Sequence, residues 1–248
     1  MIPFEPTVFF PIADVTYAFG ASTVPGKVIV LLLCVGSILA WSIMLTKGIE
    51  LSRAKRSSDQ FSRMYEAESH PAALYLKRTF PSSSPLSRVY EAGCGAIGNE
   101  LDLLEENPAE LNLQGLADSS VTLAESQIQT ISDLADRVVN KEVLNLERHM
   151  LMLATAVSAA PFLGLLGTVW GVMDGFGAMA QEGAANLSAV APGISAALLT
   201  TVVGLLVALP SSIGYNWLLE QIRQQTVFID NFSQEFNSSV RRTYGQVS

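Results

Sequence analysis

Residues Ala160–Gly177, APFLGLLGTVWGVMDGFG, are apolar enough to enter a lipid bilayer, yet they include five glycines and a proline. How that stretch is read decides the fold. No charged residue falls between Met150 and Met173, and two further charge-free runs extend from Val28 to Thr46 and from Gly183 to Leu219. Each is as long as the roughly 20-residue helix that crosses about 30 Å of hydrocarbon at 1.5 Å per residue. The composition agrees: of 248 residues 49% are hydrophobic and only 15% are charged, with a mean hydropathy of +0.34, poorer in charge than an ordinary soluble domain. The expected fold is an all-α membrane protein with three transmembrane helices.

Lysine and arginine near the ends of the runs set the orientation. Lys47, Arg53, Lys55 and Arg56 follow the first run, Arg137, Lys141 and Arg148 precede the second, and Arg223 follows the third. The connection around Gln181 and Glu182 has no basic residue, and Glu5 and Asp14 precede Lys27. The N-terminus and the short second connection are therefore expected outside and the C-terminus in the cytoplasm. The opening MIPFEPTVFFPIAD lacks a basic segment and carries prolines where a signal peptide would be uniformly apolar, so no cleavage is expected. The resulting plan is an outward N-terminal segment 1–26, transmembrane helix 1 at 27–48, a cytoplasmic helical region 49–149, transmembrane helix 2 at 150–176, an outward loop 177–187, transmembrane helix 3 at 188–218 and a cytoplasmic tail 219–248.

The net charge of −8 concentrates in the expected cytoplasmic part with no basic block, which argues against nucleic acid as a partner. Cys34 and Cys94 fall in different regions, and His70 and His149 have no ligand spacing around them, so neither a disulfide nor a metal site is expected. No nucleophile–base pair, Walker loop or metal cluster is apparent, and the chain does not read as an enzyme.

Breaks are expected around HPAALYLKRTFPSSSPLSR, AGCGAIGNE and ENPAELNLQG, where Pro, Gly and Ser cluster. From Leu116 to Ala160 there is neither Gly nor Pro, and apolar residues including Leu134, Val138, Leu144 and Met150 recur at helical spacing. This predicts one long helix running from the cytoplasm into the second span. Tyr215 to Tyr244 also lacks Gly and Pro, so helices 2 and 3 are both expected to extend far into the cytoplasm.

Lipid tails are as apolar as leucine, so membrane helices associate by close packing over small residues. Gly167, Gly171 and Gly175 repeat every four residues beside Gly164, and Gly193, Ala197 and Thr201 repeat the spacing in the third run, followed by Gly204. These are candidate helix-packing positions. Pro161, Pro192 and Pro210 are candidate kinks, tolerated at membrane depth where protein or water covers the freed carbonyl. Packing accounts for the glycines and leaves the hydroxyls of Thr168, Ser195, Thr200 and Thr201. Such groups either bond back to their own helix or line an ion path. If ions pass, the chain supplies no carboxylate at mid-membrane, so a partner must. Asp174, at the outer end of the second run, reads as a solvated rim residue or as a concentrator of cations at an entrance.

APFLGLLGTVWGVMDGF together with LSAVAPGISAALLTTVVGLLVALPSSIGYNWL resembles the core of the ExbB and TolQ family, with a more distant similarity to the flagellar stator subunit MotA; NKEVLNLERHMLMLATAVSA is also similar. The likeness covers roughly Lys141 to Leu219. It implies a subunit of a proton-driven motor in the bacterial inner membrane. In that picture a homopentamer surrounds two copies of a single-span ExbD- or TolR-type partner whose aspartate is protonated and deprotonated, and a TonB- or TolA-type protein passes the motion to the outer membrane. It places pore threonines at Thr168 and Thr201, with Thr200 standing where alanine is usual. It implies no cofactor beyond the coupling ion, a proton in most members and sodium as the alternative. One departure stands out: where the family commonly reads APGIAEAL this chain reads APGISAAL, with Ala196 at the glutamate position. A dispensable glutamate, substitution by Ser195 and water, a different ion and a non-conducting scaffold are the readings this allows.

Overall fold

The computed structural model describes residues 19–20, 22–80, 84–102, 122–182 and 187–245. The described residues are almost wholly helical, in the order α1 (Val24–Glu66), α2 (Ala73–Lys77), α3 (Pro85–Asp102), α4 (Glu125–Glu147), α5 (Met150–Glu182) and α6 (Leu187–Tyr244). The one pairing of extended backbone among them is an isolated bridge between Leu123 and Gly245. Three helical stretches, Val24–Glu66, Glu125–Gln181 and Val190–Tyr244, are long and apolar enough to cross a membrane. The expected all-α architecture with three such helices is what the chain adopts.

The chain divides into two compact units, one of Met1–Leu45 and His149–Asn216 and the other of Thr46–Arg148 and Trp217–Ser248. The first contains nearly all of the charge-free sequence. Its core is small: Ile29 and Leu33 of α1, Ala160 of α5 and Ala208 of α6, with Leu163, Val203 and Val207 packed against them. Leu31, Ile38, Phe162, Val169, Leu206, Leu209 and Ile213 stay exposed. So much apolar surface on one chain marks a face made for lipid or for other subunits. Ala160 and Ala208 occupy the core because α5 and α6 approach too closely for larger side chains. A Cβ added to Gly204 would lie 2.7 Å from the Ala160 carbonyl oxygen and 3.1 Å from Gly164 Cα.

The second unit is built around rings. Phe61 and Tyr65 of α1, Phe80, Tyr90 of α3, and Phe232 and Phe236 of α6 form a continuous cluster, mostly edge-to-face, with centroids 5.2 to 6.5 Å apart. The arrangement suits the quadrupoles of the rings. Gly93 lets the Phe236 ring lie directly on the α3 backbone. Helix α3 starts on a reciprocal cap in which the Ser87 N–H donates to Ser84 Oγ at 3.0 Å and the Ser84 N–H to Ser87 Oγ at 3.2 Å, with Pro85 at the first helical position. Those are the groups a helix start leaves without intrahelical partners. The buried carboxylate of Glu142 on α4 meets Arg88 of α3 at 2.5 Å. Lys47, almost fully buried, pairs with Glu50 at 2.9 Å and donates to the Asn145 carbonyl at 3.1 Å, in the last turn of α4, where a cation answers the helix dipole and an orphan carbonyl. Burial pushes the Cys94 thiol up to about 12.

The expected continuity of one long helix is overturned. The sequence predicts an unbroken helix from Leu116 through Ala160; Leu116 lies outside the described residues, and among those described α4 stops at Glu147 and α5 begins at Met150. Between them His149 takes φ 70°, a left-handed conformation that no right-handed helix contains. Histidine adopts it more readily than β-branched residues do, and no Gly or Pro flags it. A second difference is that α5 stays helical to Glu182, six residues into the expected outward loop; 183–186 lie outside the described residues. A third is that the helix Pro85–Asp102 runs without interruption through AGCGAIGNE, where a break is expected; the N-terminal segment before Phe19, residues 81–83 of the expected break HPAALYLKRTFPSSSPLSR, and ENPAELNLQG lie outside the described residues. Helix α6 continues without interruption through Pro192 and Pro210 to Tyr244.

At the C-terminal end of α6, Leu123 N–H donates to the Tyr244 carbonyl at 2.7 Å, and the Tyr244 hydroxyl lies 3.5 Å from His70 Nε2. His70 Nδ1 accepts the Ala72 N–H at 3.2 Å, so the ring is neutral with its proton on Nε2. Burial lowers its pKa from 6.5, although Glu66, Glu68 and Glu235 line the adjoining cavity and Glu68 is held by Lys77.

Two predictions follow from this packing. Gly204→Ala should destabilise the detergent-purified chain by about 1–3 kcal/mol, because its methyl meets backbone that has nowhere to go. Gly193→Ala, with nothing within 4 Å of the added carbon, should leave thermal stability unchanged or raise it; equal losses in both would refute the close-approach account. His70 binds no proton in the folded state at pH values where the unfolded chain does, so its contribution is complete above about pH 6.5 and is lost as pH falls through the lowered folded value. The drop in melting temperature between pH 7.5 and 5.5 should therefore be smaller in His70→Asn than in the wild type.

Candidate functional site

Small and hydroxylated residues of α5 and α6 bring the two helices together inside the first unit. An added Cβ at Gly164 would lie 2.9 Å from the Thr200 carbonyl oxygen and 2.9 Å from Thr201 Cα; at Gly167 it would run into the Thr200 side chain; at Gly171 it would lie 2.6 Å from Ala197 Cβ. Gly164, Gly167, Gly171, Ala197 and Gly204 therefore sit at one seam, all buried or, for the glycines, covered by the facing helix. Gly193 does not share it: its α-carbon faces open space in the single chain. Pro161 lies in α5, half-buried, one residue from the carbonyl of Ala160 that Gly204 approaches. Pro192 and Pro210 lie within α6, also half-buried.

The four hydroxyls have different fates. Thr168 Oγ1 donates to the Leu165 carbonyl of its own helix at 2.7 Å, the back-bonded arrangement that satisfies a hydroxyl in an apolar setting. Thr155, Ser158 and Ser211 do the same toward Leu151, Ala154 and Val207. Ser195 is exposed. Thr200 and Thr201 instead reach across to α5. Thr200 Oγ1 lies 3.0 Å from the Gly164 carbonyl oxygen and 2.7 Å from that of Ala197, and Thr201 Oγ1 lies 3.0 Å from the same Gly164 oxygen. Thr200 is buried at 1% exposure, whereas Thr201 is half-buried. The structure thus joins Thr200 and Thr201 around one carbonyl, and leaves Thr168 and Ser195 outside that group.

The acceptor at the centre is a functional group that the sequence does not reveal. Gly164 stands out in the sequence as a residue without a side chain; its carbonyl becomes a site because the missing Cβ admits α6 to hydrogen-bonding range. Ala196, 2% exposed, is buried in α6, and Asp174 is half-exposed near the far end of the charge-free run of α5. Among the described residues no three His, Cys, Asp or Glu side chains group closely enough to hold a metal ion. What the arrangement offers is neutral oxygen: hydroxyl donors that can turn toward an anion, and lone pairs that a proton carrier or small cation can use.

Comparison with known proteins places these helices in context. The MotA/TolQ/ExbB proton channel family matches residues 105–231, a range that includes α4, α5 and most of α6. The chain is 32% identical over 192 residues to the biopolymer transport protein ExbB of Pseudomonas putida, a match covering 77% of this chain and 52% of that protein, so it spans about half of that relative's length. It is 29% identical over 227 residues to the Tol-Pal system protein TolQ of Haemophilus influenzae, covering 90% and 91% of the two chains. A biopolymer transport protein ExbB of Salmonella typhimurium is 31% identical over 201 residues, 79% of this chain and 73% of that one. With half of its length matched by the family and the seam of α5 and α6 inside the matched range, the chain belongs to the MotA/TolQ/ExbB proton channel family.

Proposed function

We propose that this chain is the channel-forming stator subunit of an ion-driven motor in the bacterial inner membrane. It works with a single-span ExbD- or TolR-type partner and transmits energy to the outer membrane, in nutrient uptake of the TonB type or envelope maintenance of the Tol-Pal type. The observation that carries this reading is the cross-helix pair Thr200 and Thr201 on the Gly164 carbonyl, in helices whose charge-free runs contain no carboxylate. A channel built this way has donors without a titrating group. The proton carrier must then be a carboxylate brought by the partner, and the half-buried Thr201 hydroxyl is placed to donate to it when it is ionised, which lowers its pKa. Ala196 fits the same scheme, since a buried methyl at that point asks for no ion of its own.

Several copies of the chain around the partner, five by analogy with the family resemblance, would cover the exposed apolar faces of α5 and α6. The N-terminus lies outside and the C-terminus in the cytoplasm, from the distribution of Lys and Arg. The coupling ion is the proton. A sodium-coupled motor is the second reading, favoured by three neutral oxygens, the Thr200 and Thr201 hydroxyls each 3.0 Å from the Gly164 carbonyl oxygen.

Co-purification of the chain with its single-span partner, followed by proton and sodium flux in liposomes, tests this. Wild type should conduct protons only with the partner's membrane carboxylate intact. Thr201→Ala should assemble normally and lose flux by roughly 10- to 100-fold, the loss of a hydrogen bond to a charged group worth about 1.5–3 kcal/mol. A stable complex that passes neither ion in the wild type would sink the motor reading in favour of a scaffold, and flux of sodium alone would replace the ion.

A further inference from the structure

We propose that Thr200 is a positioning residue that decides when the Thr201 hydroxyl is free to leave the Gly164 carbonyl. The proposal rests on the channel reading above and deepens it. A threonine hydroxyl has one proton to give, and a carbonyl oxygen has two lone pairs. Gly164 lies inside α5, so one of its lone pairs serves the helical N–H four residues on. Two hydroxyls, Thr200 and Thr201, stand 3.0 Å from that oxygen and compete for the other.

Thr200 has an alternative that the structure gives Thr201 no counterpart to: the Ala197 carbonyl, 2.7 Å away in its own helix. Two arrangements therefore satisfy the same heavy-atom positions. In one, Thr200 donates to Ala197 and Thr201 donates to Gly164. In the other, Thr200 turns its proton to Gly164, and Thr201, half-buried where Thr200 is sealed at 1% exposure, has its proton available for an incoming carboxylate. Only a hydroxyl rotation separates them. Without Thr200, a Thr201 that turned to the carboxylate would leave a lone pair on a buried carbonyl unfilled, which proteins avoid. Thr200, within reach of both carbonyls, lessens that penalty by sharing its one proton between Gly164 and Ala197, whose own lone pair would otherwise be the one left unfilled. Its side chain fills the hollow over Gly167, where an added Cβ would run into Thr200 Oγ1; a larger residue at 167 would displace the switch.

The test uses the full chain assembled with the single-span partner in liposomes, with proton flux measured across external pH. Thr200→Val keeps the shape and removes the donor. Thr201 should then stay on Gly164, the ionised carboxylate should lose its stabilisation, and the pH midpoint of flux should move up by about one unit, a tenfold change in proton affinity. Thr200→Ser, which retains the hydroxyl, should restore the wild-type midpoint. A merely structural role would lower assembly or total flux in both variants and leave the midpoint unmoved, and that result overturns the proposal, as does a Thr200→Ser variant that behaves like valine. If Thr200→Val does not assemble, Thr200→Ala takes its place with the same expectations. Wild-type midpoint in the valine variant together with lost flux in Thr201→Ala would overturn this proposal while leaving the channel reading standing; absence of flux in the wild type would overturn both.

Discussion

The approach of two helix backbones at Gly164 and Gly204 is the constraint on which the rest of the first unit depends. In a bilayer there is no water to expel between helices, so α5 and α6 gain by associating only if they come close enough for many weak contacts to act together. Glycine at 164 and 204 and alanine at 160, 197 and 208 remove the side chains that would hold the axes apart. The same closeness brings the Gly164 carbonyl within 3.0 Å of two threonines on the neighbouring helix. Packing and chemistry are one arrangement here, and neither survives without the other.

The second unit is held by different forces. Its aromatic cluster buries large apolar rings, the ordinary driving force of a core in water. Among the described residues its buried charges are answered: Glu142 by Arg88, and Lys47 by Glu50 and the Asn145 carbonyl. Such pairs fix register more than they stabilise, since desolvation offsets much of their attraction. Each of the helices α1 and α6 supplies residues to both units, so each changes its packing partner from small residues to rings within one continuous element. The apolar runs and the ring cluster are therefore two kinds of packing written along the same helices.

Ala196 gains meaning from burial. A glutamate there would have to be accommodated in a position that is 2% exposed, with the desolvation cost that a buried charge carries unless paired. This chain omits the charge and instead carries a hydroxyl, Thr200, one helical turn onward. The polar demand of the seam is met with neutral groups, the hydroxyls of Thr200 and Thr201 on the Gly164 carbonyl.

Much was legible from the letters alone, because lipid imposes rules that composition must obey. Three charge-free runs of sufficient length read as helices able to cross a membrane, and small residues every four positions read as a packing ridge; Gly164, Gly167, Gly171, Ala197 and Gly204 face the neighbouring helix. Gly193 obeys the same spacing and faces open space, since spacing defines a stripe and not which neighbour covers it. The end of α4 was invisible, because the left-handed turn at His149 carries no Gly or Pro that would announce it. Thr200 and Thr201 are adjacent and identical, and in the sequence only the family resemblance, which sets a pore threonine at Thr201 and Thr200 where alanine is usual, tells them apart. The 100° step of the helix separates them: it buries one against Gly167 and leaves the other half-open, and it aims both at a backbone oxygen that no letter encodes.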